Sequence, residues 1–449
     1  MRLTDASGGQ SLSLPTRTVA LSAAPLGARG FLPDVLSEHA EVAGIMVRLR
    51  EAYLNDLGGD LAGLVRLDDR LDAHLDGLRA AGEDGYMAAR EALRAGHDGS
   101  LFIVAVLSLE RPNDDDARQI VTVAEATLRG QRELATALEW VSPRRIEPWA
   151  NAFSSMASPA HRAAALLARH VHRLPLAPIA AVVDEMSRDD RWQRRELAYR
   201  ALAASAGDVG VSVIKAGVQD PQPEVRLAAQ WAAHRKTPKG LVIDDLVAIA
   251  ADAGYLAEEA FDLAARTVSA DRAGELLERL PTGELGERAG IVAVAAAGRP
   301  SLVPWLMPRL RSAATARLAV WAYATLTGCD VVSEGLTRAC STPQDGVPND
   351  DPRDPRTAVP PEYRVPWPDP DAFEVHARRW CATESRHARL ILGETITREG
   401  LVRLLATGTQ GQRNFAATEL AIMTPREHVF AARAPGFRQR RALPLLGMA

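Results

Sequence analysis

The sequence predicts an all-α fold, an α-solenoid built from helical repeats. Three observations point there. Alanine is abundant and aromatic residues make up only 5% of the 449 residues, which suits helices packed through small side chains better than sheets. A turn rich in proline or acid runs into an arginine and then small apolar residues, most clearly in DPQPEVRLAAQWAA, Asp220 to Ala233. That arrangement recurs at a spacing of about thirty residues, the length of a two-helix repeat.

Residues 1–30 combine Gly, Ser, Pro and small side chains, carry Asp5 early and lack a continuous apolar run. They read as a flexible tail rather than a secretory signal. Residues 31–150 predict helices without a visible repeat. One runs from Leu32 through LPDVLSEHAEVAGIMVRLREAYL. A second, between Leu61 and Gly82, gathers Leu61, Leu64, Leu67, Leu71, His74, Leu75 and Leu78 on one broad face. His74 is expected there as a buried histidine bonded to a neighbouring carbonyl or acid. GSLFIVAVLSLE, Gly99 to Glu110, has the β-branched content of a strand, but its place between helices predicts a buried helix.

Residues 151–330 carry the repeats. Aligning the polar position before each small-apolar run gives Arg162, Arg195, Arg226, Glu259, Arg288 and Arg317, with steps of 33, 31, 33, 29 and 29. In the third, Asp220 is expected to cap the helix and Pro221 and Pro223 to open it. Val225, Ala228, Ala229 and Ala232 then share its apolar face. Shorter helical segments lie between the runs, and the six longer helices are expected to line a concave, partner-binding face.

Residues 331–372 interrupt the array. Ser341 to Asp371 holds nine prolines and seven acids and excludes helix. Tyr363 and Trp367 stand there near Asp345, Asp350, Asp351 and Asp354, which suits either a loop gripping a basic protein or a strut packed along the array. Asp350, Asp351, Asp354, Tyr363 and Trp367 are accordingly the candidate partner-binding residues. Residues 373–449 return to helical repeats or a cap, with GQRNFAATELAIM repeating the pattern at Arg413.

A net charge of −4 argues against a generally nucleic-acid-binding surface. Cys329, Cys340 and Cys381 are odd in number and lack CxxC spacing, so neither a disulfide framework nor a zinc site is expected, and a reducing, cytoplasmic setting is. No apolar run reaches the length of a membrane span. His170 and His172, at i and i+2, point to different sides of a helix and cannot share a metal. The adjacent carboxylates Asp68–Asp69, Asp244–Asp245 and Glu258–Glu259 splay by about 100° per residue. No GxxxxGK[ST], GxGxxG, GxSxG or HExxH occurs, and no Cys or His constellation stands out. No catalytic, metal or cofactor-binding residue is nominated.

An acid or proline turn followed by Val-Arg and small residues resembles the HEAT-repeat consensus. In that consensus the arginine is structural and pairs with a turn acid of the same or the adjacent repeat, which is the role expected of Arg226. Four stretches, LDDRLDAHLDGLRAAGEDGY, LTGCDV at Leu326, VPWPDPDAF at Val365 and ATGTQGQRNFAATEL with ARAPGFRQ, look like an uncharacterised HEAT-repeat family of proteobacteria, often encoded beside type VI secretion genes. The resemblance runs from about residue 30 to the end. After VPWPDPD the family has paired tryptophans, whereas here His376 stands early and Trp380 alone follows. The resemblance implies a cytosolic, non-enzymatic scaffold that binds a protein, foremost an immunity protein neutralising a type VI effector toxin encoded nearby. An effector adaptor or chaperone is the alternative. A third is an accessory lyase-like role, from distant similarity to HEAT proteins of phycobilisome maturation. No cofactor, nucleic acid or membrane partner is implied.

Overall fold

The computed structural model describes residues 32–111, 114–237, 240–339, 360–383 and 389–446. Among them the protein is all-helical, with one two-stranded hairpin, β1 (Leu390–Ile391) and β2 (Glu394–Thr395). Seven helices form the N-terminal part: α1 (Pro33–Asn55), α2 (Leu61–Ala80), α3 (Glu83–Arg94), α4 (Ser100–Glu110), α5 (Asp114–Ala124), α6 (Leu128–Trp140) and α7 (Pro143–Ser154). As expected from its place in the chain, the Gly99–Glu110 stretch is a helix, and Ser100 to Leu109 are buried all round. Such a helix needs neighbours on every side, and α1, α3, α5 and α6 supply them. Gly44 and Gly99 allow the closest approach: a Cβ on Gly44 would lie 2.2 Å from the Asp98 carbonyl oxygen.

The recurring motif falls on α8 (Pro159–His172), α10 (Trp192–Ala204), α12 (Pro223–Lys236), α14 (Ala257–Thr267), α16 (Glu284–Ala297) and α18 (Ala316–Thr327). Short helices stand between them: α9 (Ala180–Met186), α11 (Ile214–Gly217), α13 (Ile243–Asp252), α15 (Ala273–Leu277) and α17 (Val303–Leu306). α8 packs on α10 and α10 on α12; α14 packs on α16 and α16 on α18. The alanines make this possible, since Ala198, Ala201, Ala228, Ala229 and Ala232 are all buried at these contacts.

The first three motif arginines make the same bonds. Each donates to the carbonyl six residues back: Arg162 to Met156, Arg195 to Asp189, Arg226 to Asp220. Each also reaches forward to an acid, Glu185, Asp220 and Asp252 respectively. Asp220 is therefore not the helix cap. Gln222 holds that position, and Asp220 accepts from the Gln222 N–H while both its oxygens bind Arg195. Beyond α12 the scheme changes, because Arg288 bonds Glu258 and Glu362, and Arg317 bonds the Tyr363 carbonyl.

These bonds set an order of stabilities. Arg195 and Asp220 are both largely buried, so Arg195→Ala should lower the unfolding free energy by about 1–2 kcal/mol. Asp252 is 64% exposed, so Arg226→Ala should cost less than about 1 kcal/mol. Urea denaturation of the two variants checks this, and an equal or larger loss for Arg226→Ala would contradict it.

The C-terminal part comprises α19 (Pro370–Thr383), the hairpin, α20 (Arg398–Thr407), α21 (Gln410–Met423) and α22 (Gly436–Leu446). It runs back along the C-terminal ends of the motif helices, whose last carbonyls have no intrahelical donor. Leu390 N–H donates to Gly298 after α16, Leu392 and Gly393 to Thr325 and Leu326 of α18, and Val429 to Ala204 of α10. Arginines reach back the other way, Arg235 to Thr424 and Glu427, Arg173 to Val429. α21 and α22 then meet α1 and α2, where Gln410 N–H donates to Gly59 and Gly436 N–H to Asp68 Oδ2 at 2.6 Å. The last helices thus close onto the first. Arg413, in the expected motif of α21, bonds Leu405 O, Gln410 and Gln439 rather than a turn acid.

Candidate functional site: a groove lined by α1, α6, α8 and α10

Arg200 of α10 bonds Glu259 of α14 at 3.1 Å, reaching past α12 to the next motif helix but one. Arg200 also lines the first of two cavities that lie end to end. One of about 430 Å³ has apolar walls from Leu128 and Leu134 of α6, Leu167 of α8, and Trp192 and Leu197 of α10. The other, of about 740 Å³, lies between α1, α6 and the end of α8 and is rich in arginine. Arg132, Ala135 and His170 line both, so the two form one groove with an apolar and a charged half. Of the six helices expected to form a binding face, α8 and α10 contribute to it.

Most charges in the groove are paired. Arg48 bonds Glu51, Arg50 bonds Asp68, and Arg129 bonds Asp98 and Glu133. Arg191 and Arg194 share Glu125, and Arg200 bonds Glu196. Arg173 donates only to carbonyls, of Val429 and His170, and Arg433 to the Leu54 carbonyl. Arg173 ends α8 at φ 56°, a left-handed conformation that glycine adopts with less strain. The Arg132 and Glu139 side chains make no hydrogen bond or ion pair among the described residues. Burial pushes the Glu139 carboxyl above its ordinary range, against the pull of Arg50, Arg173, Arg438 and Arg433.

The expected partner-binding residues lie elsewhere. Tyr363 is half exposed and Trp367 half buried, and neither lines the groove. The Arg317 guanidinium sits 4.8 Å from the Trp367 ring centre and 5.7 Å from that of Tyr363, tying this segment to α18. Trp367 O accepts from Arg338 N–H and Asp369 N–H donates to Leu336 O, so the segment packs as a strut at this point. Asp350, Asp351 and Asp354, with Cys340 and Asp345, lie outside the described residues.

The histidines part company as their spacing requires. Burial holds His170, on the groove wall, well below the usual histidine range. His172 donates from Nε2 to the Leu138 carbonyl at 2.7 Å and accepts at Nδ1 from Arg438 at 3.0 Å. That arrangement needs a neutral ring, and burial with Arg438 lowers its pKa to about 4. A histidine depressed in the folded state stabilises fully above about 6.5, and that stability is lost as pH falls toward 4. The loss should reach about 2 kcal/mol after allowance for partial exposure. Melting followed between these pH values checks it: His172→Gln should flatten the acid limb, and an unchanged slope would refute the assignment.

Two clusters were not foreseen. His74 is bonded to neither an acid nor a carbonyl; its Nδ1 lies 3.0 Å from Nδ1 of His39 on α1, with both rings half buried. At the end of α18, Cys329 Sγ stands 3.8 Å from His376 Nε2, whose Nδ1 is 2.6 Å from the Tyr323 hydroxyl. A Cys–His constellation therefore does exist, assembled from residues 47 apart in the chain. Its only trace in the sequence was that Cys329 and His376 fall in or beside two of the family-like stretches. Burial pushes the Cys329 thiol up to about 11, so it is protonated at neutral pH. Among the described residues no three His, Cys, Asp or Glu side chains converge in a metal-binding arrangement, and no helix is long and apolar enough to cross a membrane.

Comparison with models of protein families and with curated proteins finds no match for the chain.

Proposed function

We propose that the protein is a HEAT-like α-solenoid that serves as a protein-binding scaffold. The observation that carries this is the groove, two contiguous cavities of about 430 and 740 Å³ along α6, α8 and α10. An apolar half beside a half with selected polar groups suits an inserted protein segment, whose side chains alternate in character. The recurring bonds of Arg162, Arg195 and Arg226 support the repeat reading, since each arginine ties its own turn to an acid further on.

The resemblance to the HEAT-repeat family encoded beside type VI secretion genes gives the partner its proposed identity. It is an effector toxin made in the same cell, bound and held inactive in the cytoplasm by this immunity protein. A covalent, lyase-like role has less support, because the Cys329 thiol is held protonated and is not a ready nucleophile. Tyr363, half exposed at the strut, extends the proposed contact surface beyond the groove.

The test is co-purification of the tagged protein with the product of the adjacent gene, followed by survival of cells expressing that product alone. A stoichiometric complex and rescue of growth are expected. An adjacent gene product that neither binds nor harms the cell would remove the immunity reading. Binding without toxicity would favour an adaptor.

A further inference from the structure

We infer that the groove takes an acidic segment of a protein, seating one or two carboxylates in its charged half and a bulky apolar side chain in the other. This rests on the scaffold reading and names the chemistry of what the scaffold holds.

The charge balance decides the class. Arg48, Arg50, Arg129, Arg191, Arg194 and Arg200 each have a carboxylate partner. Arg132, Arg173 and Arg433 make no close ion pair among the described residues, and neither does Glu139, whose charge acts at longer range on Arg173 and Arg433. Outside close ion pairs the wall thus holds three cations against the one Glu139 carboxyl, a surplus that one or two further carboxylates neutralise. A phosphodiester chain would want a long row of free cations, and here most arginines are already bonded to carboxylates. A basic segment would meet the three cations and lose affinity.

Position agrees with charge. Arg132 belongs to both halves, so a carboxylate bonded to it lies directly beside the apolar pocket of Leu128, Leu167, Trp192 and Leu197. Arg132 and Leu128 are both exposed in the free protein and lie one turn apart on α6. Neither is needed for the core, whereas Arg173 and Arg433 are fixed by carbonyls and present a preset anion-binding wall.

Fluorescence anisotropy on the full-length protein tests this with a short labelled peptide of repeated Leu-Glu-Glu units. Its Leu-Lys-Lys counterpart and a labelled single-stranded DNA are the comparisons. The acidic peptide should bind, weaken as salt is raised, and lose about tenfold or more with Arg132→Glu. Leu128→Asp should weaken it too, and circular dichroism of both variants should match the parent. The inference fails if the basic peptide binds as well, if the DNA binds equally and competes, or if neither variant changes affinity. If the adjacent gene product co-purifies equally with Arg132→Glu, this inference falls while the scaffold stands. If that product fails to bind while the acidic peptide binds as expected, the assignment of the partner falls instead.

Discussion

Replacing Arg235 by alanine is expected to lower the unfolding free energy by about 4 kcal/mol and to free the segment between α21 and α22. Arg235 is buried near the C-terminal end of α12 and donates to five carbonyls, those of Ala203, Ala421, Thr424, Pro425 and Glu427. Burial lowers its pKa only to about 10, so it stays charged at neutral pH. Alanine would remove the donor that these carbonyls share, although Thr424 O would keep the Glu427 N–H. Lysine should recover less than half the loss, because a single ammonium cannot reach acceptors that a planar fork spans. Two measurements check this, urea denaturation and the rate of tryptic cleavage at Arg426. A variant as stable and as resistant as the parent would show that the segment is held by something other than this arginine.

The second large effect is expected at Glu419. It is fully buried on α21 and bonds Arg266 of α14 at 2.5 Å and Arg389 beside β1. Burial pushes its carboxyl up, but the two guanidinium groups outweigh that and hold it below the usual range. Glu419→Ala should cost about 3–5 kcal/mol, because Arg266 would keep its charge in a buried site with Asp262 as its remaining carboxylate partner. The contrast is Glu394 with Arg403, an exposed pair whose removal should cost less than about 1 kcal/mol. Chemical denaturation of the two variants side by side would refute the argument if their losses were alike.

Much of the fold was legible because the signals are local. Helical periodicity and proline-opened turns placed α1, α2, α8, α10 and α12. The resemblance to the HEAT consensus foretold acid partners for the motif arginines, but not the carbonyls six residues back to which Arg162, Arg195 and Arg226 also donate. The all-apolar Ser100–Leu109 run read as a buried helix because no face of it can meet water. The groove was less legible. Arg132, Glu139 and Arg173 belong to no motif; α6 and α8 bring them near Arg433, which comes from almost the other end of the chain.

The sequence by itself determined the helices and the small side chains that let them pack, since each depends on residues within a turn or two of one another. Only the tertiary structure decided that the C-terminal part runs back along the ends of the motif helices and closes onto α1 and α2. It alone brought His39 to His74 and Cys329 to His376, and left Arg132, Arg173 and Arg433 without a close ion pair among the described residues. The physical reason is that helix ends carry unsatisfied carbonyls all along one edge, and any segment with suitable donors can satisfy them. Which segment does so depends on the path of the whole chain, and no local pattern records it.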